Sequence, residues 1–228
     1  MVMHRPNVLL LYFFIQGCIG KKITAQGPTG HPALVWSDGS KKIGEGVKVL
    51  AHVFYDNNDY KTRAPDKNVT KYFEQLFNMT QQHFNNRSVM ITIVLCNVTM
   101  NDTLEVPTRP HVLDGNATLK NLQNYSYFNH LPNNSIVYLY TNNTLDIKDY
   151  KGPAFPDMFS TLSTNGTFCS NTSSAAIVRQ PPGSSSYWGT VKVTATIFGA
   201  KYFVNFTEED MMKMNETFSH CHVNKSSA

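Results

Sequence analysis

Residues 187–204 read Tyr187-Trp188-Gly189-Thr190-Val191-Lys192-Val193-Thr194-Ala195-Thr196-Ile197-Phe198-Gly199-Ala200-Lys201-Tyr202-Phe203-Val204, and the fold turns on how they are taken. Their Val, Thr and Ile content favours a strand, because branched side chains suit a pleated surface. Their length favours a helix, since such residues lower helix propensity only slightly. Composition alone leaves both readings open.

The flanks are clearer. On the C-terminal side, Asn205-Phe206-Thr207-Glu208-Glu209 has the form of a helix start, with Thr207 as the cap and acids in the first turn. On the N-terminal side lies a Pro-Gly-Ser loop at 180–186. Further back, Val47-Lys48-Val49-Leu50-Ala51-His52-Val53-Phe54-Tyr55 is a β-branched and aromatic run ended by Asp56-Asn57-Asn58, which predicts a strand. Over 69–84, Val69, Tyr72, Phe73, Leu76, Phe77 and Phe84 recur mostly at three- and four-residue spacing, which predicts an amphipathic helix. Residues 88–98 form a nearly continuous apolar strand, expected to be covered on both faces. A helix is expected over 113–127, starting at Asp114 with Leu119 and Leu122 on one side. Further strands are expected at 136–140 and 175–178, with a punctuated loop at 151–165 between them. This order argues one α/β domain over 46–228, preceded by an extended leader at 21–45.

Of the 228 residues, 41% are hydrophobic, enough for a substantial core, but only 16% are charged, below the usual quarter or so. The formal charge of +4 is not gathered into a Lys/Arg run, so neither nucleic acid nor a membrane surface is indicated as a partner. Residues 1–20 read as a secretory signal: Arg5, an apolar stretch over 8–15, then small residues from Gly17 to Gly20. Cleavage is expected near Gly20, with Ala25 as second choice. The apolar stretch is far short of the roughly 20 residues a membrane span needs. Of 22 Asn, 14 stand in N-x-[ST] triplets: Asn68, Asn78, Asn86, Asn97, Asn101, Asn116, Asn124, Asn133, Asn142, Asn165, Asn171, Asn205, Asn215 and Asn224. Behind a signal peptide, this excess predicts a secreted, extracellular glycoprotein whose sugars do the solubilising that charge otherwise does.

With Cys18 leaving in the signal, Cys96, Cys169 and Cys221 remain, an odd number. Cys96 lies in the apolar run Ile91-Thr92-Ile93-Val94-Leu95-Cys96 and is expected as a buried free thiol. Cys169 and Cys221 lie in polar, loop-like sequence and are expected to be bridged. No P-loop, dinucleotide fingerprint or G-x-S-x-G elbow is present. His220 and His222 flank Cys221, yet a solvated tail is the better reading than a metal site. Asp56, Asp59 and Asp66 lack the spacing of a calcium loop and read as turn residues. No cofactor and no metal are expected, and the chain is expected to be a monomer.

The order of elements is similar to that of reprolysin-type metzincins. The strand at 47–55, the helix with Lys71-Tyr72-Phe73, the strand at 88–98, the Asp114/Leu119 helix, the strand at 136–141 and the Cys169…Ala176-Ile177-Val178 segment all follow its opening. Within that family the chain resembles the tick salivary metalloproteases. The resemblance spans about 46–225 and implies a metzincin-like single domain, a mixed sheet packed with two to four helices. It also implies a place for the zinc motif H-E-x-x-H-x-x-G-x-x-H. Setting Gly199 at the glycine puts Lys192 and Thr196 at the helical histidines, Val193 at the glutamate and Tyr202 at the third histidine. The active-site helix is then degenerate. Lys192 would repel the cation, and Val193 cannot act as a base. Met211 or Met212 is similar to a remnant of the methionine turn, and Phe218-Ser219-His220-Cys221 to the closing Ser-x-Cys bridge site.

The resemblance thus implies a pseudoprotease with no catalytic residues. In overall character the chain also resembles the tick salivary immunosuppressant glycoproteins. That resemblance implies a non-enzymatic secreted protein that binds host extracellular or immune-cell proteins and suppresses lymphocyte responses. Two alternatives stand beside it: an active secreted metalloprotease with atypical ligands, and a lipocalin-type carrier of small ligands, which predicts a barrel of strands. The exposed pair Tyr187-Trp188 is a weak candidate binding surface, set against simple packing at a helix entry.

Overall fold

In the computed structural model, which describes residues 41–147 and 160–221, the first expected strand turns Val49, Ala51 and Val53 to one apolar face and Phe54 to the other. The elements in chain order are β1 (Lys48–Tyr55), α1 (Asp59–Arg63), α2 (Val69–Asn85), β2 (Thr92–Met100), β3 (Pro107–Arg109), β4 (Val112–Asp114) and α3 (Gly115–Phe128). After them come β5 (Ser135–Thr141), β6 (Thr144–Asp146), β7 (Thr161–Ser163), β8 (Ser174–Arg179), α4 (Trp188–Ile197) and α5 (Glu208–Ser219). The signal at 1–20, most of the leader, His222 and Asn224 lie outside the described residues.

Five strands form one sheet in the order β2-β1-β5-β8-β7. The pairs β1–β2, β1–β5 and β5–β8 are parallel and β7–β8 is antiparallel, so the sheet is mixed. A small second sheet, β3-β4-β6, flanks it. The period of two along each strand separates two cores. Val49, Ala51, Val53, Ile136, Tyr138, Ala176 and Val178 face α2 and α4 in the larger core. Phe54, Val137, Leu139, Ala175 and Ile177 face Leu122 of α3, with Leu113 and Leu145 of the small sheet. This is an α/β domain with helices on both faces of a mixed sheet, the class the element order predicts. It is not a barrel of strands.

Local chemistry explains the helix boundaries. Asn68 and Asp114 cap α2 and α3 through side-chain oxygens that accept from the Lys71 and Ala117 amides. Thr207 and Asp210 form a reciprocal capping box on α5.

Several expectations are corrected. β2 is an edge strand and mostly half-buried, not covered on both faces. Residue 43 already belongs to the body of the fold: Ile43 is buried and bridges Val89. The loop expected over 151–165 contains β7, whose three residues are too few to show an alternation. Cys96 is not a free thiol: it is disulfide-bonded, with its partner outside the described residues. The Cys169–Cys221 bridge is present, with Cα atoms 5.0 Å apart across 52 residues of sequence.

Candidate functional site

The ambiguous stretch resolves as helix α4 followed by a turn, and tertiary contacts decide it. Thr190 and Thr194, one turn apart and fully buried, meet the hydroxyls of Tyr140 and Tyr138 at 2.7 and 3.0 Å. Thr194 also donates to the Thr190 carbonyl at 2.7 Å. Each hydroxyl is therefore bonded in a dry interior, where an unpaired one costs about 1–3 kcal/mol. Gly189 lets the helix approach the sheet, since a Cβ there would lie 2.9 Å from Val178 Cγ1.

This docking fixes where the degenerate motif points. Lys192 is exposed and Thr196 half-buried, on the outward face one turn apart, while Val193 is 1% exposed and packs into the larger core. The Thr196 hydroxyl donates to the Lys192 carbonyl at 3.0 Å. Zinc is held by imidazole, thiolate or carboxylate. This face offers an ammonium and a hydroxyl already committed to the backbone, so the zinc implied by the resemblance does not fit here. Among the described residues, no three His, Cys, Asp or Glu side chains gather in a way that could hold a metal ion.

The helix ends in a tight glycine turn. Gly199, with φ of 94°, ends α4 in a Schellman arrangement. Its amide donates to Thr196, and the Ala200 amide reaches back to Ala195. The next stretch is held by Asp210, 2% exposed, which accepts from the Lys201 amide at 2.7 Å and from Thr207 through both amide and hydroxyl. Burial opposes its charge, but the hydrogen bonds from the Thr207 and Lys201 backbones and the Thr207 hydroxyl prevail and hold its carboxyl below the usual range. Tyr202 is 51% exposed, beneath the Lys201 ammonium. Met211 and Met212 lie in the first turns of α5 and not in a methionine turn, and Met212 is 67% exposed.

A second polar group, missed by sequence reasoning, sits where β1 and β5 end side by side. The crossovers leave the β1–β5 pair in opposite directions there, the usual place for a ligand crevice in such sheets. Asp56, read as a turn residue, is buried and accepts from the Thr141 hydroxyl at 2.7 Å and the Asn142 amide at 3.2 Å. Asn143 bridges from it to Glu105 Oε2, 3.2 Å away. Burial pushes the Glu105 carboxyl up to about 7; the Thr141 hydroxyl opposes this and the neighbouring Asp56 carboxylate reinforces it. Burial and the nearby Asp56 carboxylate together favour the protonated form of Glu105. Glu105 arrives from a loop with no motif, so only the fold reveals the pair.

The sequons fall where sugars can be carried. Of the 13 described sequon Asn residues none is buried, and Asn68, Asn86, Asn116, Asn133, Asn142, Asn165, Asn171, Asn205 and Asn215 are exposed. Asn78, Asn97, Asn101 and Asn124 are half-buried, and Asn97 Oδ1 lies 2.8 Å from the buried His52 Nδ1. The pair Tyr187-Trp188 stacks at the entry of α4, with Trp188 40% exposed and edge-on to His83. It belongs to an aromatic cluster with Phe203, as the packing reading expects.

No protein-family model matches the chain, and no curated protein sequence does. Solved structures similar to it include metalloproteinase-II from Bacteroides fragilis, at 11% identity and a TM-score of 0.48, covering 78% of this chain and 55% of that one. Archaemetzincin from Archaeoglobus fulgidus, complexed with malonate, matches at 12% identity and a TM-score of 0.41, covering 76% and 99%. A chain in a chaperone–substrate complex matches at 10% identity and 0.49, covering 77% and 35%. The protein thus spans about half the length of metalloproteinase-II.

Proposed function

We propose that the chain is a secreted, N-glycosylated pseudoprotease: a non-enzymatic protein on a metzincin-like frame that acts by binding host extracellular or immune-cell proteins and damping lymphocyte responses. The observation that carries the reading is local. Gly199 keeps the turn of the zinc motif, while Lys192, Thr196 and Tyr202 occupy the ligand positions and Val193, at the base position, is turned into the core. Such a helix keeps its structural role and has no donor set for Lewis-acid hydrolysis. The secreted part of the reading rests on the signal-like 1–20 segment and the 14 sequons, and the Cys169–Cys221 bridge accords with an oxidising compartment. No described helix is long and apolar enough to cross a membrane. A monomer on the tick salivary pattern is part of the same reading.

The test is capture of leukocyte surface and plasma proteins by the glycosylated full chain, read alongside lymphocyte proliferation. The expected result is a specific captured partner and reduced proliferation. No partner and unchanged proliferation would sink the immunomodulator reading.

A further inference from the structure

A cleft of about 360 Å3 opens at the other end of the sheet from the Asp56–Glu105 pair, where β5 and β8 begin. Its walls are the end of α3, the 130–135 turn and the 170–174 loop. Its size falls in the range of ligand clefts, roughly 300–1,000 Å3. Six of its twelve lining residues are Ser or Thr, two are Asn, and none is acidic, Lys or Arg. A phosphate or other strongly charged ligand therefore finds no counter-ion, and an apolar one would strand the hydroxyls.

Two features point to an occupant. Ser135 is one of the lining residues; it is 2% exposed, and its hydroxyl, just beneath the surface, has no partner among the described residues. Leaving such a group unmatched is destabilising, and a bound hydroxyl-rich ligand would match it. At the mouth, the Tyr127 ring is 70% exposed, braced edge-on at 5.5 Å by Phe128. An exposed aromatic beside converging hydroxyls offers an apolar face and hydrogen bonds together. The walls are tied to one another: Asn133 accepts from the Cys169 amide at 3.0 Å, Gln123 donates to the Ser173 carbonyl at 3.1 Å, and Cys169 is bridged to Cys221. The cleft is therefore formed in advance of any ligand.

We propose that this cleft seats a neutral saccharide unit, with a sugar hydroxyl on Ser135 Oγ and a sugar face against Tyr127. The sugar has two possible sources, because Asn133 and Asn171 both line the cleft and both stand in N-x-[ST] triplets. One source is the chain's own glycan and the other a glycan of another molecule.

The test uses the full chain in unglycosylated and glycosylated forms, titrated with N-acetylglucosamine, N,N'-diacetylchitobiose and methyl α-mannoside by ligand-detected NMR. The unglycosylated chain is expected to bind at least one of them. Ser135→Ala and Tyr127→Ala should each weaken that binding by about fivefold or more, as loss of one hydrogen bond or one ring contact does. Ser135→Ala should do so without lowering the thermal midpoint, which separates a binding role from a packing one. If the glycosylated form binds as well, the sugar comes from another molecule. If it does not, and Asn133→Gln or Asn171→Gln restores binding, the chain's own glycan fills the cleft. Absence of saccharide binding by the unglycosylated chain, or binding indifferent to both variants, overturns the proposal.

Discussion

Val193 sits on the core face of α4 and holds the helix down; in the register proposed above it also stands where a metalloprotease would carry its base. That Val193 faces inward was not legible in the sequence, because the β-branched content of the stretch hid the helical period. The polar residues make predictions of their own. Glu105 has a folded pKa of about 7, above the ordinary carboxylate value, so the folded state holds more protons than the unfolded one between roughly pH 4.5 and 7. Stability should therefore fall as pH rises through that window, by on the order of 1 kcal/mol once the full shift is discounted for the solvent that screens a half-buried carboxyl. Because His83 acts in the opposite sense over the same range, the fall is read as the change, between urea titrations at pH 5 and pH 8, in the stability difference between the protein and Glu105→Gln. His83 runs the other way: burial lowers it to about 4, so stability should be lost as pH falls from 6.5 toward that value. Asp210→Ala leaves the Lys201 and Thr207 amides without their acceptor and should cost about 2–3 kcal/mol in the same titration. Asp56 looked like a turn residue because burial against Thr141 and Glu105 arises from contacts 85 and 49 residues away in the chain.

At the scale of elements, α2, α3 and α5 were legible because their caps and apolar spacings agree: Asn68, Asp114 and Thr207 each bond the amides their positions call for. α4 was not, because two buried Tyr–Thr hydrogen bonds override its strand-like composition. Tyr140→Phe breaks one of them and leaves the Thr190 hydroxyl without that partner. It should lower stability by about 1–2 kcal/mol, whereas Tyr138→Phe should cost less because Thr194 keeps its bond to the Thr190 carbonyl. Thermal unfolding of the two variants side by side measures the difference. Gly199→Ala should cost about 1 kcal/mol from backbone strain alone, as the neighbouring atoms lie no closer than 3.6 Å to the added carbon. β7 escaped detection because three residues show no period and its pairing with β8 is set by the sheet.

For the whole molecule, the strand order β2-β1-β5-β8-β7 with one antiparallel edge sets a mixed sheet between two helix layers, the fold class the order of elements predicts. The disulfide between Cys169 and Cys221 ties the loop before β8 to the end of α5. Replacing both cysteines by Ala should cost about 3–4 kcal/mol, from the freedom a chain loop of 52 residues regains when unfolded, and calorimetry would register it. Cys96 was misread because an apolar run is where a buried free thiol is also found, and spacing does not show a bridge. The metzincin-like reading rests on Gly199 and its altered neighbours, and that reading is open to one direct test. Metal content of the full-length protein, purified from a secretory host without affinity metal, is measured by inductively coupled plasma analysis together with peptide hydrolysis. A pseudoprotease should carry far less than one zinc per chain and hydrolyse nothing. One zinc per chain, removed by chelator along with peptidase activity, would contradict the account.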